Sequence, residues 1–66
     1  MSNERLHDIV TAIIEAADEI KGKEDADAQD YGQLLAYAES LSIIRDAYDG
    51  DLSEIGLNFD IDKRYL

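Results

Sequence analysis

Leu6, Val10, Ile13, Ala17 and Ile20 step along the chain by four, three, four and three residues, which lines one face of an α-helix. Ile9, Ile14 and Ala16 widen that stripe. Ser2 or Asn3 can cap its start, and Glu4 lies in the first turn, where the helix dipole favours an anion. Lys21 has the complementary sign at the far end, and Gly22 suits the left-handed position that follows a last turn. The pattern predicts a first helix over about residues 3–21.

Residues 22–26 read as a polar loop. Asp27, with Asp30 three residues on, resembles a capping box with a shorter acid, and a second helix is predicted over about 27–49, stopped by Gly50. Its apolar positions, from Tyr31, Leu34, Leu35, Tyr37 and Ala38 to Leu41, Ile44 and Tyr48, cover roughly 180° of the helical wheel. That is wider than one partner helix buries. Beyond Gly50, Asp51–Gly56 can form a single helical turn capped by Asp51 or Ser53. Leu57, Phe59 and Ile61 then alternate with Asn58, Asp60 and Asp62, which is strand periodicity. A lone strand has no mate within the chain. Residues 57–61 are therefore expected to form an extended arm, laid across the helices or completed by another molecule.

Two helices of this length, each roughly 30 Å long, pack as an antiparallel hairpin, so the expected fold is one all-α domain over residues 1–66, with a C-terminal turn and arm over 51–66. A hairpin leaves apolar surface uncovered, and the leading expectation is a homodimer in which two hairpins make a four-helix bundle. A monomer closed by the arm and higher or hetero-assemblies are the alternatives. The expected interface comprises Tyr31, Leu34, Tyr37, Leu41, Ile44, Arg45 and Tyr48. Arg45 lies near the middle of the apolar stripe. It reads either as an arginine whose stem covers apolar surface or as one that pairs with an acid across an interface.

Composition narrows the function. The chain has 66 residues, with 16 Asp and Glu against six Lys and Arg, for a net charge of −10. That balance argues against binding nucleic acid directly and against docking on anionic lipid. There is no cysteine, hence neither a disulfide framework nor a thiolate metal site. No apolar run is long enough to span a membrane and no secretory leader is evident, so a cytoplasmic address is expected. Although high charge at small size is a signature of disorder, 45% of the residues are hydrophobic and periodic, which favours a folded body.

No residue pattern supports catalysis, a cofactor or a metal. Glu4 and His7 have the Glu-x-x-His spacing of di-iron bundles, but they lie about 170° and 110° from the apolar face and so cannot both point inward. Asp49, Asp51, Ser53 and Asp60 echo a calcium loop, yet Glu54 occupies the position that requires glycine. Asp51-Leu52-Ser53 is in the wrong order for the Asp-Ser-Leu motif of acyl carrier proteins. With one histidine, no Gly-flanked serine elbow and no Gly-rich phosphate loop, the chain reads as non-enzymatic.

One charge pattern is sharper. Glu4, Asp8, Glu15 and Glu19 follow the outward face of the first helix, with residues four apart separated by about 6 Å along its axis. Such a stripe approaches the phosphate spacing of one DNA strand and could compete for the cationic groove of a nucleic-acid-binding protein. A merely solubilising face is the plainer explanation.

Residues 34–41, Leu-Leu-Ala-Tyr-Ala-Glu-Ser-Leu, and 58–66, Asn-Phe-Asp-Ile-Asp-Lys-Arg-Tyr-Leu, resemble pieces of short uncharacterised acidic proteins of gut Firmicutes and their mobile elements. The likeness covers about half of the chain and carries no catalytic motif. It implies a bacterial cytoplasm and a phage or transposon setting, and no functional residue transfers with it. The leading expectation is thus a helical module that self-associates and binds another protein; the rival is an acidic decoy of a nucleic-acid-binding protein.

Overall fold

A computed structural model describes residues 2–66, and each element in it starts on an acid or hydroxyl side chain that the sequence supplies. Helix α1 spans Asn3–Lys21; Ser2 Oγ accepts the Arg5 backbone N–H at 3.2 Å and caps it. Helix α2 spans Ala28–Ala47 and opens on a full capping box between Asp27 and Asp30. Lys23 closes over that cap with Nζ 3.0 Å from Asp30 Oδ2. The Asp27 backbone N–H, and after it Lys23, hold the Asp30 carboxyl below the usual aspartate range. A carboxyl lowered by folding contributes stability above the unfolded pKa, and the contribution fades as the pH falls through the folded value. Asp51 behaves likewise through the Ser53 N–H, where it caps a 3-10 turn over Leu52–Ile55.

One cap conformation and one boundary differ from those expected. Gly22 stays right-handed at φ −82°: its N–H bonds back to Asp18 O at 3.0 Å and the next N–H, of Lys23, bonds to Ile20 O at 3.1 Å, so the last turn simply continues. Helix α2 ends at Ala47 rather than at residue 49. Tyr48 turns extended there (φ −84°, ψ 127°), and its hydroxyl donates to Glu54 Oε2 at 3.2 Å. The left-handed residue is Gly56 (φ 78°), which ends the 3-10 turn and redirects the chain.

The last segment departs most from expectation. Leu57 and Ile61 are fully buried and Phe59 partly so, as their alternation implied, but no strand forms among the described residues. Asp60 Oδ1 accepts the Lys63 backbone N–H at 3.1 Å and starts a short helix α3, Ile61–Tyr65. Asp62 in its first turn and Lys63 and Arg64 in its last match the helix dipole. Ile61 and Tyr65, four apart, both turn into the core.

The chain therefore folds as an antiparallel α1–α2 hairpin closed along its open groove by its own last segment. The 3-10 turn packs against α1, and α3 packs against α2. The core comprises Val10 and Ala17 of α1, Leu34, Ala38 and Leu41 of α2, and Ile55, Leu57, Ile61 and Tyr65 of the closing segment. Two polar clasps fix that segment at its ends. Near the start of α1, Glu54 Oε2 accepts from Asn3 Nδ2 at 2.9 Å as well as from Tyr48. Near the end of α1, Asp18 accepts Arg64 Nη2 at 2.7 Å and the Tyr65 hydroxyl at 2.8 Å. The Arg64 guanidinium also lies 4.8 Å from the centroid of Phe59.

Gly32 provides a clean test of the α2 assignment. It lies in the helix interior, and nothing stands within 4 Å of where a Cβ would be. Gly32→Ala is expected to raise the unfolding free energy by about 1 kcal/mol, read as a higher urea midpoint at unchanged slope. A neutral or destabilising result would mean that residue 32 is not helical.

Candidate interaction surface

Helix α2 carries a broad apolar face because it has neighbours on two sides, α1 and α3. Its own stripe is spent internally. Leu34 and Leu41 are 3% and 0% exposed, so their expected place in an interface between molecules is corrected: they are core residues of a single chain. A four-helix bundle built on that stripe would require α3 to move away.

The other expected contacts are scattered. Tyr31 is exposed at the start of α2. Tyr37 is half-buried and lines a polar depression between α1 and α2, with Glu19, Lys23, Asp30 and Gln33. Arg45 is half-buried, and its Nε donates to the neighbouring Asp46 Oδ1 at 3.2 Å. Ile44 and Tyr48 are brought together with Leu6 and Ala47 around an apolar depression of about 220 Å³.

Ile43, absent from the expected interface, is the most exposed large apolar side chain of α2, at 69%. It lies about 180° from Leu34 on the wheel, off the stripe that periodicity selects. It forms a ridge. On one side is the depression shared with Leu6, Ile44, Ala47 and Tyr48; on the other is a groove of about 320 Å³ between α2 and α3. Ala38, Ser42 and Leu66 join Ile43 in lining that groove, and Glu39, Asp46 and Asp62 complete its wall. The missed signal was an isoleucine on the helix face that patterning assigns to solvent.

The acidic stripe stands as expected in position. Glu4, Asp8, Glu15 and Glu19 are all exposed on α1, over roughly 22 Å of its length. Asp8 approaches His7 Nδ1 at 4.0 Å, a contact that carries charge attraction only when the histidine is protonated. Asp18, beside the stripe, is occupied by Arg64 and Tyr65. Among the described residues no three His, Asp or Glu side chains converge as a metal site, and no helix is long and apolar enough to cross a membrane.

By fold the molecule is an all-α helical hairpin with an intramolecular closing segment, and its most distinctive surface is the ridge of α2. No family model, curated protein or solved structure matches the chain.

Proposed function

We propose that the protein is a non-enzymatic interaction module that binds another protein through the C-terminal half of α2, and that the same face mediates weaker self-association. The observation that carries this reading is Ile43, a large apolar side chain standing 69% exposed between an apolar depression and a groove rimmed by carboxylates. A single exposed isoleucine is ordinary, but Ile43 is continuous with Leu6, Ile44, Ala47 and Tyr48 around one depression, and a contiguous apolar patch of that kind suits a partner. Self-association must work against −10 on each copy, which makes it the weaker association and one that salt strengthens.

A photocrosslinking residue tests the reading. Placed at position 43 in cells, it is expected to capture a defined partner, whereas the same group at Glu24, in the exposed loop, captures none. Equal capture at both positions would contradict the assignment.

A second reading has its own support in the four exposed acids of α1, which lie on one strip opposite the packed face. On that reading the chain is an acidic decoy of a nucleic-acid-binding protein, in the phage or mobile-element setting that the sequence resemblance implies. Reversing Asp8 and Glu15 to lysine would then abolish partner binding, whereas the α2 reading leaves binding nearly unchanged.

A further inference from the structure

The two sides of the Ile43 ridge differ in charge, and that difference specifies a partner. The depression toward α1 is lined by Leu6, Ile43, Ile44, Ala47 and Tyr48, with no charged side chain. The groove toward α3 is lined by three carboxylates, Glu39, Asp46 and Asp62, around Ala38, Ile43 and Leu66. All three acids are exposed, and Leu66 is 68% exposed. Arg45 engages one oxygen of Asp46, whose side chain remains 73% exposed.

Resting on the α2 reading above, we propose that this face receives a cationic amphipathic helix of a partner protein. The partner's apolar side chains seat over Ile43 and the depression beside it, and its lysines or arginines meet the carboxylates along α3. Apolar burial supplies the affinity, while the one-sided carboxylates fix which flank of the incoming helix is basic. A second copy of this chain fits the face less well. It arrives with −10, and three of its six cations, Lys23, Arg45 and Arg64, already hold carboxylates of their own.

The test is a titration of the isotope-labelled full chain with a short synthetic amphipathic helix of leucine and lysine, followed by NMR. A leucine–glutamate helix of the same pattern is the control. The lysine helix is expected to shift the amide signals of Ser42, Ile43, Asp46, Asp62 and Leu66, and the glutamate helix is expected to shift none of them. Ile43→Asp should weaken binding about tenfold or more while leaving the helical spectrum intact, because the residue is exposed. Neutralising Glu39, Asp46 and Asp62 together to their amides should weaken binding and flatten its salt dependence, whereas lysine at Asp8 and Glu15 should have little effect. Shifts centred on Glu4–Glu19 of α1, or unchanged affinity in Ile43→Asp, would overturn the proposal.

The position-43 crosslink separates this inference from the reading beneath it. A partner captured there whose binding ignores both salt and the triple neutralisation would leave the α2 face standing and overturn its cationic occupant. A salt-sensitive partner released by the triple neutralisation would support both.

Discussion

Leu41→Asp is expected to abolish cooperative folding. Leu41 is fully buried between the hairpin and the closing segment, so the substitution removes core packing and leaves an unpaired carboxylate without water. Loss of a buried leucine side chain costs about 2–5 kcal/mol, and the buried charge adds several more. A domain of 66 residues holds only about 3–10 kcal/mol in total. Circular dichroism should therefore show loss of most helical signal and no sigmoidal urea transition. Were Leu41 instead a contact between molecules, the variant would remain a helical monomer; that result would refute the closed core. Ile43→Asp, two residues along the same helix, is expected to keep the wild-type spectrum, and the contrast between neighbours is itself diagnostic.

The second large effect is at Tyr65. Its ring is 2% exposed and meets Phe59 edge to face, with centroids 6.4 Å apart, while its hydroxyl reaches Asp18. Tyr65→Ala should cost about 3–5 kcal/mol, the range of large aromatic truncations, and detach α3 from the hairpin. Tyr65→Phe keeps the ring and loses one hydrogen bond to a carboxylate, so it should cost about 1–3 kcal/mol. Burial first, and the Asp18 bond second, push the Tyr65 hydroxyl up to about 12 from an ordinary value of 10.0. The folded chain thus keeps a proton that the unfolded chain releases. This contribution is complete below pH 10 and is lost as the pH rises toward 12. Urea midpoints across that window should fall steeply in the wild type and less in Tyr65→Phe. A slope remains because Tyr48, raised by its surroundings and by Glu54, titrates in the same direction. Identical slopes in the two proteins would contradict the burial of the Tyr65 hydroxyl against Asp18.

These two residues also mark where the sequence was and was not readable. The hairpin was legible because α1 repeats its apolar step over five positions and both helices begin on cap residues that declare themselves. Leu57, Phe59 and Ile61 correctly signalled which side chains turn inward, yet their alternation suggested strand. A five-residue helix is too short to display a 3.6-residue period, so only Asp60, Asp62, Lys63 and Arg64, ordered for a cap and a dipole, gave it away. The breadth of the apolar surface on α2 was read as a demand for a second molecule. Much of it is met by Ile61 and Tyr65, which lie distant in sequence and invisible to local pattern. Ile43 was passed over for the converse reason, since a wheel centred on Leu34 and Leu41 places it outside.

The acids of the candidate surface were legible as charges but not as a group. Glu39 and Asp46 are seven apart on α2 and thus share a face, while Asp62 joins them only through the packing of α3. The outward stripe on α1 needed no tertiary information, because it lies within one helix.

One chain closes its own core and leaves Ile43 exposed, and the proposed association surface is the ridge it forms. Light scattering on the wild type and Ile43→Asp, at low salt and at ~1 M salt and over a range of concentrations, tests this most directly. The expected result is a folded single chain for both proteins at low salt, with wild type alone gaining mass as salt and concentration rise. A dimer that persists at every salt and that Ile43→Asp leaves intact would contradict it.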